Sequence, residues 1–202
     1  MRVIRGDERF LSEYNGILTR HVFNAGAHHR DDRAGFGALI GLDEHLVPPG
    51  GGFDWHRHRS VDILTWVLAG TLHHRDRAGA DQMIAAGDGL RQRTGAGVEH
   101  AETNASTDEP LRFLQWIVLP AESAAPLELT VLELAPDDTL PVRSPGVVHV
   151  VAGGLRGPAG SFLPGDTALV GGTGPLDASA PAATGELFRA TGATRIVMLR
   201  LD

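Results

Sequence analysis

Two short pairs of residues could do chemistry together: His56 and His58 in DWHRHRSVD, and His100 and Glu102 in GAGVEHAETN. Positions i and i+2 of a strand face the same side, so each pair can aim both side chains at one point. Two neighbouring strands would then supply three imidazoles and one carboxylate. That donor set suits a first-row metal such as Fe(II), Mn, Co or Ni, and in octahedral geometry it leaves two positions open for reaction. We expect one divalent metal per chain, held by His56, His58, His100 and Glu102.

The elements that must position these residues read as strands. Val61 to Leu68 and Leu111 to Leu119 are apolar on both alternations, as in strands covered on both faces. Between them Thr71 to Asp76 reads as a further strand, followed by a turn through Arg77 to Asp81. No stretch sustains a 3.6-residue apolar period, so helices should be few and short. The pattern predicts an all-β chain with turn-limited spacing.

The second half echoes the first. Val67-Leu68-Ala69-Gly70-Thr71-Leu72 has a counterpart 83 residues on in Val150-Val151-Ala152-Gly153-Gly154-Leu155, and Ala86-Gly87-Asp88 has one 78 residues on in Pro164-Gly165-Asp166. Two echoes in the same order predict duplicated architecture: two stacked antiparallel β-barrels, over residues 1–122 and 123–202. The same offsets carry His56 and His58 to Thr139 and Pro141, and His100 and Glu102 to Ala178 and Ala180. None of these is a ligand, so the second barrel is expected to have the shape without the chemistry.

Composition excludes several other chemistries. The 202 residues are 42% hydrophobic, enough to bury a core, and contain no cysteine. Disulfides, thiolate nucleophiles and cysteine-based zinc or iron–sulfur sites are thereby removed. All 18 basic residues are Arg, so no lysine Schiff base can form, and the net charge of −7 opposes a general grip on nucleic acid. Apolar runs are too short to cross a bilayer, and MRVIRGDERF lacks a signal-peptide core, so a cytoplasmic location with no membrane association is expected.

The histidine segments resemble the cupin superfamily, with Gly50 preceding His56-x-His58 as its first motif and Gly97-x-x-His100-x-x-x-Asn104 as its second. Within it the chain is most similar to the pirins, iron-binding bicupins built as paired double-stranded β-helices. HRHRSVDILTWVLAGTLHHRD, GDGLRQRTGAGVEHAE and LRFLQWIVLP carry the likeness, from about Gly37 to Pro120. Ser60 and Asp62 depart from it, standing where pirins have Gly and Glu.

The resemblance implies that His56, His58, His100 and Glu102 are the metal ligands and that Fe(II) is the first candidate metal. It also implies an oxidoreductase activity, the O2-dependent dioxygenation of a flavonol such as quercetin, with ring cleavage and loss of CO. The partners would be a small aromatic substrate and O2. Glu102 is then the candidate catalytic residue, the ligand able to accept the substrate hydroxyl proton. The alternative implied by the family is a regulatory protein that responds to the metal's redox state and binds a transcription factor or metabolic enzyme.

The remaining candidates have plainer readings. His74 stands in the pirin-like His-Arg-Asp triplet and could support a ligand. His21, His28, His29, His45, His73 and His149 lack ligand spacing and read as surface or satisfied polar residues. Asp62 lies too far along its strand to coordinate. Trp66 and Trp116 read as core or pocket wall, and Arg57 and Arg59 as solvated.

Overall fold

A computed structural model describes residues 1–120, 128–142, 145–171 and 186–201. Among them the strands are β1 (Arg2–Ile4), β2 (Phe10–Tyr14), β3 (Ile17–His21), β4 (Leu39–Val47), β5 (Gly52–His58), β6 (Asp62–Ala69), β7 (Thr71–Asp76), β8 (Asp81–Ala85), β9 (Gly89–Arg93) and β10 (Val98–Asn104). They continue as β11 (Leu111–Val118), β12 (Glu128–Leu134), β13 (Thr139–Val142), β14 (Gly146–Ala152), β15 (Leu155–Gly157), β16 (Gly160–Phe162), β17 (Thr167–Val170), β18 (Glu186–Ala190) and β19 (Thr194–Arg200). The described helical elements are two three-residue 3-10 turns, Gly6–Glu8 and Asp31–Arg33. None is long and apolar enough to cross a membrane.

The chain forms two compact units. The first comprises Phe10–Ala34 and Leu39–Pro120; the second comprises Met1–Arg9, Gly35–Ala38 and Ala121–Asp202. The long segments thus divide between Pro120 and Ala121, while the first nine residues group with the C-terminal ones rather than with the remainder of 1–122. Two contacts show why: β1 pairs with β17, and the Arg5 guanidinium reaches Asp166 at 2.8 Å.

Each unit has two antiparallel sheets enclosing an apolar core. In the first unit the orders are β2-β3-β4-β11-β6-β9 and β5-β10-β7-β8. Its core takes Ile17, Val47, Val67, Leu111 and Phe113 from the larger sheet and Leu72 and Ile84 from the smaller. The second unit has β1-β17-β14-β19-β12 and β13-β18-β15-β16, with a core that includes Val148, Val150, Val170 and Ile196 from one sheet and Leu155, Phe162 and Phe188 from the other. Alternation sets these faces: along β3 the residues are buried and exposed in turn, from Ile17 to His21.

The echoes seen in the sequence are equivalent turns. Gly70 and Gly153 adopt φ of 80° and 76°, and a Cβ would lie 2.9 Å from the Pro110 carbonyl oxygen at the first and 2.2 Å from that of Ala193 at the second. Only glycine fits both the backbone and the space. Gly87 and Gly165 both have φ of 92°. Val67 N–H donates to the Asp88 carbonyl as Val150 does to that of Asp166, both at 3.0 Å. The duplicated plan therefore extends to individual hydrogen bonds.

Candidate metal centre

The site forms where β5 and β10 run side by side in the smaller sheet of the first unit. His100 pairs with His56, but Glu102 pairs with Phe53, so Asp54 and Trp55 together oppose Ala101. This β-bulge reconciles two spacings. His100 and Glu102, two apart, share a face, and so do Phe53 and His56, three apart. Phe53 packs against the apolar core while His56 and His58 turn toward His100. The bulged backbone also supplies an acceptor: the Asp54 carbonyl lies 2.7 Å from His56 Nδ1. Taking that N–H leaves His56 Nε2 as a lone pair facing the site.

Ligand-type atoms converge there. Those of His56, His58 and His100 lie within 4.8 Å of one another, and so do those of His74, His100 and Glu102. His100 Nε2 is 3.0 Å from His56 Nε2 and 4.0 Å from Glu102 Oε2. His100 and Glu102 are 1% and 2% exposed, while His56 and His58 are half-buried. The four residues expected from the sequence thus fall into two groups that share His100, and Glu102 is grouped with His74, directly opposite it on β7, rather than with His56 and His58.

Burial decides the protonation of the cluster. It pushes the Glu102 carboxyl up to about 7, against the lowering effect of the Gln115 amide. That amide donates to both carboxylate oxygens, at 3.1 and 3.2 Å, and lies 3.3 Å from Thr65 Oγ1. Burial, then repulsion from His56 and His58, brings His100 down to about 3, so its imidazole is neutral. His58 and His74 are also lowered, first by burial. The Gln92 amide nitrogen sits 3.2 Å from His74 Nε2 and 3.4 Å from Asp76 Oδ2. Neutral imidazoles around a carboxylate are the state in which all can donate lone pairs.

The other candidates are elsewhere. Asp62 is engaged by Arg91 at 2.6 Å, Trp116 is in the core, and His73 pairs with Asp81 at 2.7 Å. His45 is buried, with Nδ1 2.8 Å from Thr19 Oγ1 and Nε2 without a partner, so it is not a satisfied polar residue. Gln115, Gln92 and the bulge were not anticipated. Gln115 had a signal, as the one amide within the apolar run LRFLQWIVL, where an unpaired polar group would be costly.

The sequence-offset comparison of the two halves needs revising. Ala178 and Ala180 lie outside the described residues, and the offset changes along the chain because the connections differ in length. Strand pairing gives other counterparts: β15 and β18 align Leu155 with Ala190 as β7 and β10 align Leu72 with Asn104. Phe188 then stands for Glu102, Glu186 for His100 and Val142 for His56. Among the described residues, the ligand clusters all lie in the first unit.

Comparison with known proteins places these features in a family. Residues 6–118 match the family model for pirin. The chain is 36% identical over 120 residues to a Mycobacterium tuberculosis protein provisionally named a quercetin 2,3-dioxygenase, covering 59% of this chain and 49% of that one. It is 30% identical over 119 residues to the quercetin 2,3-dioxygenase of Escherichia coli K12, covering 59% and 52%. The chain thus spans about half the length of the curated relatives it matches. Among solved structures, the E. coli pirin YhhW in complex with nickel(II) aligns with a TM-score of 0.84 at 20% identity, over 99% of this chain and 98% of that one.

Proposed function

The chain belongs to the pirin family, and from that premise we propose that it is a mononuclear metal-dependent dioxygenase of quercetin-type flavonols, with His56, His58, His100 and Glu102 as ligands. The observation that carries the reading is the overlap of two ligand-type groups, His56–His58–His100 and His74–His100–Glu102, at the buried His100. His100 Nε2 lies 3.0 Å from His56 Nε2 and 4.0 Å from Glu102 Oε2, so His100 is common to the residues that would hold the metal. A dication would also supply the positive charge that the buried Glu102 lacks.

When bound, Fe(II) or a similar first-row metal supplies Lewis acidity and a place for substrate and O2 to meet. The residues do the rest. His56 is oriented by the Asp54 carbonyl, and Gln115 holds Glu102 by both oxygens. Glu102 would take the proton of the flavonol 3-hydroxyl onto a carboxylate oxygen.

Elemental analysis should find about one metal per chain, lost in His56→Ala and His100→Ala and retained in His149→Ala. The loaded protein should consume O2 with quercetin, bleaching its visible absorbance and releasing CO, and Glu102→Gln should lose this activity more completely than it loses metal. No turnover with fully loaded Fe, Mn, Co or Ni protein would remove the enzyme reading. Equal metal loss in His149→Ala would remove the ligand assignment.

A further inference from the structure

A second ordered set of polar residues lies in the first unit. Ser12 on β2, His21 at the end of β3 and Asp43 on β4 occupy three consecutive strands of the six-stranded sheet. His21 pairs with Asp43 on one side and with Phe10 on the other, and Ser12 is one same-face step along from Phe10. Ser12 Oγ is 2.7 Å from His21 Nε2, and His21 Nδ1 is 2.8 Å from Asp43 Oδ1.

Donor and acceptor roles follow from the carboxylate, which when ionised can only accept. Asp43 takes the hydrogen bond of the His21 Nδ1–H, so Nε2 presents a lone pair and the Ser12 hydroxyl donates to it. Nucleophile, base and orienting acid are thus in the order that nucleophilic acyl transfer requires.

The cluster is partly open to solvent. The His21 and Asp43 side chains are 11% and 15% exposed, and Ser12 is half-buried. β2 ends its sheet, and among the described strands none pairs with its outer edge. The two-residue Asn15-Gly16 turn, with φ of 50° and 79°, makes Tyr14 and Ile17 a hydrogen-bonded pair, and Ser12 and Thr19 the next such pair. The N–H groups of Leu11 and Glu13, on either side of Ser12, therefore point to the open edge. Phe10, stacked on His28 at 5.1 Å, adds a flat apolar wall.

The geometry points to Ser12, His21 and Asp43 as a hydrolytic triad for an uncharged carboxylic ester with an aromatic or short-chain group, separate from the histidine–glutamate site. Ser12 Oγ bonds to the ester carbonyl carbon as its proton passes to His21 Nε2. The carbon–oxygen bond to the alcohol then breaks, and His21 returns the proton to the departing oxygen. Water attacks the acyl-serine, giving its proton to His21, and the acid leaves as Ser12 regains its hydroxyl. Ester and water become acid and alcohol. Asp43 is a positioning residue.

The test uses the full chain with a fluorophosphonate probe and with an aryl acetate. One adduct should form, on Ser12, equally with and without a chelator, and Ser12→Ala should abolish both labelling and ester turnover. Asp43→Asn should slow labelling about a hundredfold or more, with melting temperatures measured alongside. Because the chain has no cysteine, Ser12→Cys introduces a single thiol. It should show thiolate absorbance at neutral pH and alkylate at least tenfold faster than the exposed control Ser161→Cys, and Asp43→Asn in that background should remove the advantage. An unlabelled Ser12 in the folded chain, or a thiol no faster than the control, would overturn the triad and leave a hydrogen-bonded sheet face.

Discussion

The two units build the same inner face from opposite residue types. Equivalent turns and registers match Thr65 with Val148, Gln92 with Val170, Gln115 with Met198 and Glu102 with Phe188. His56 matches Val142 and His45 matches Leu132. His74 has Gly157 in its place, where a Cβ would meet the Phe188 ring at 2.6 Å. In the second unit Val142, Val148, Val170 and Phe188 are all core residues, with Leu132 and Met198 packed against them. The fold therefore does not need polar residues at these positions, since it closes with apolar ones. Their presence in the first unit is a cost to stability that packing does not explain, and that is a physical reason to read it as a site.

Phe188→Ala should test the comparison hardest. Removing a fully buried ring from a face that lives on packing should cost about 3–5 kcal/mol, read from denaturant unfolding. A loss below about 1 kcal/mol would mean that the second unit is not held by this core. Acid should then separate the units. Burial lowers His45 from 6.5 to about 4, so the unfolded chain takes up a proton before the folded one does. The stability this contributes is complete above pH 6.5 and is lost as pH falls to 4, about 3 kcal/mol in all. His45→Leu, which imports the counterpart residue, should flatten that part of the pH profile; an unchanged profile would place the acid sensitivity elsewhere.

Smaller effects sharpen the match position by position. Gln115→Met should weaken metal binding about 10–100-fold, the usual consequence of removing a ligand's supporting hydrogen bond, in a chelator competition. Unchanged affinity would show that Gln115 does not hold Glu102. The reverse import, Val148→Thr, should cost about 1–2 kcal/mol through a buried hydroxyl without the amide partner that Thr65 has in Gln115. If it costs nothing, the two faces are less alike than their registers imply.

The strands were legible because their burial is written in apolar runs: Thr71–Asp76 appears as expected, and Leu111–Val118 stops one residue short of the anticipated Leu119. The candidate ligands were legible because each pair sits within one strand, so local spacing was enough to single them out. What escaped depends on pairing between distant segments. Gln115 meets Glu102, and Ser12 meets His21 and Asp43, only once β2, β3, β4, β10 and β11 are in register. Residue types alone did not distinguish His45 from a surface histidine. At Ser60, where the family pattern has Gly, the backbone φ is 56°, so the substitution departs in sequence while the chain keeps the glycine-like turn.

If the proposed ligands hold a metal, the bulge at Asp54 and Trp55 would make metal content a gauge of folding fidelity. If β5 slipped by one residue along β10, Trp55 and Arg57 would turn inward and both histidines outward. The main-chain bonds could reform, so such a molecule could keep its strands and be blind to metal. A preparation loaded to less than one equivalent would then be a mixture of alignments rather than a set of weak sites. Titrating more metal would not fill the deficit, whereas unfolding and refolding the same sample would.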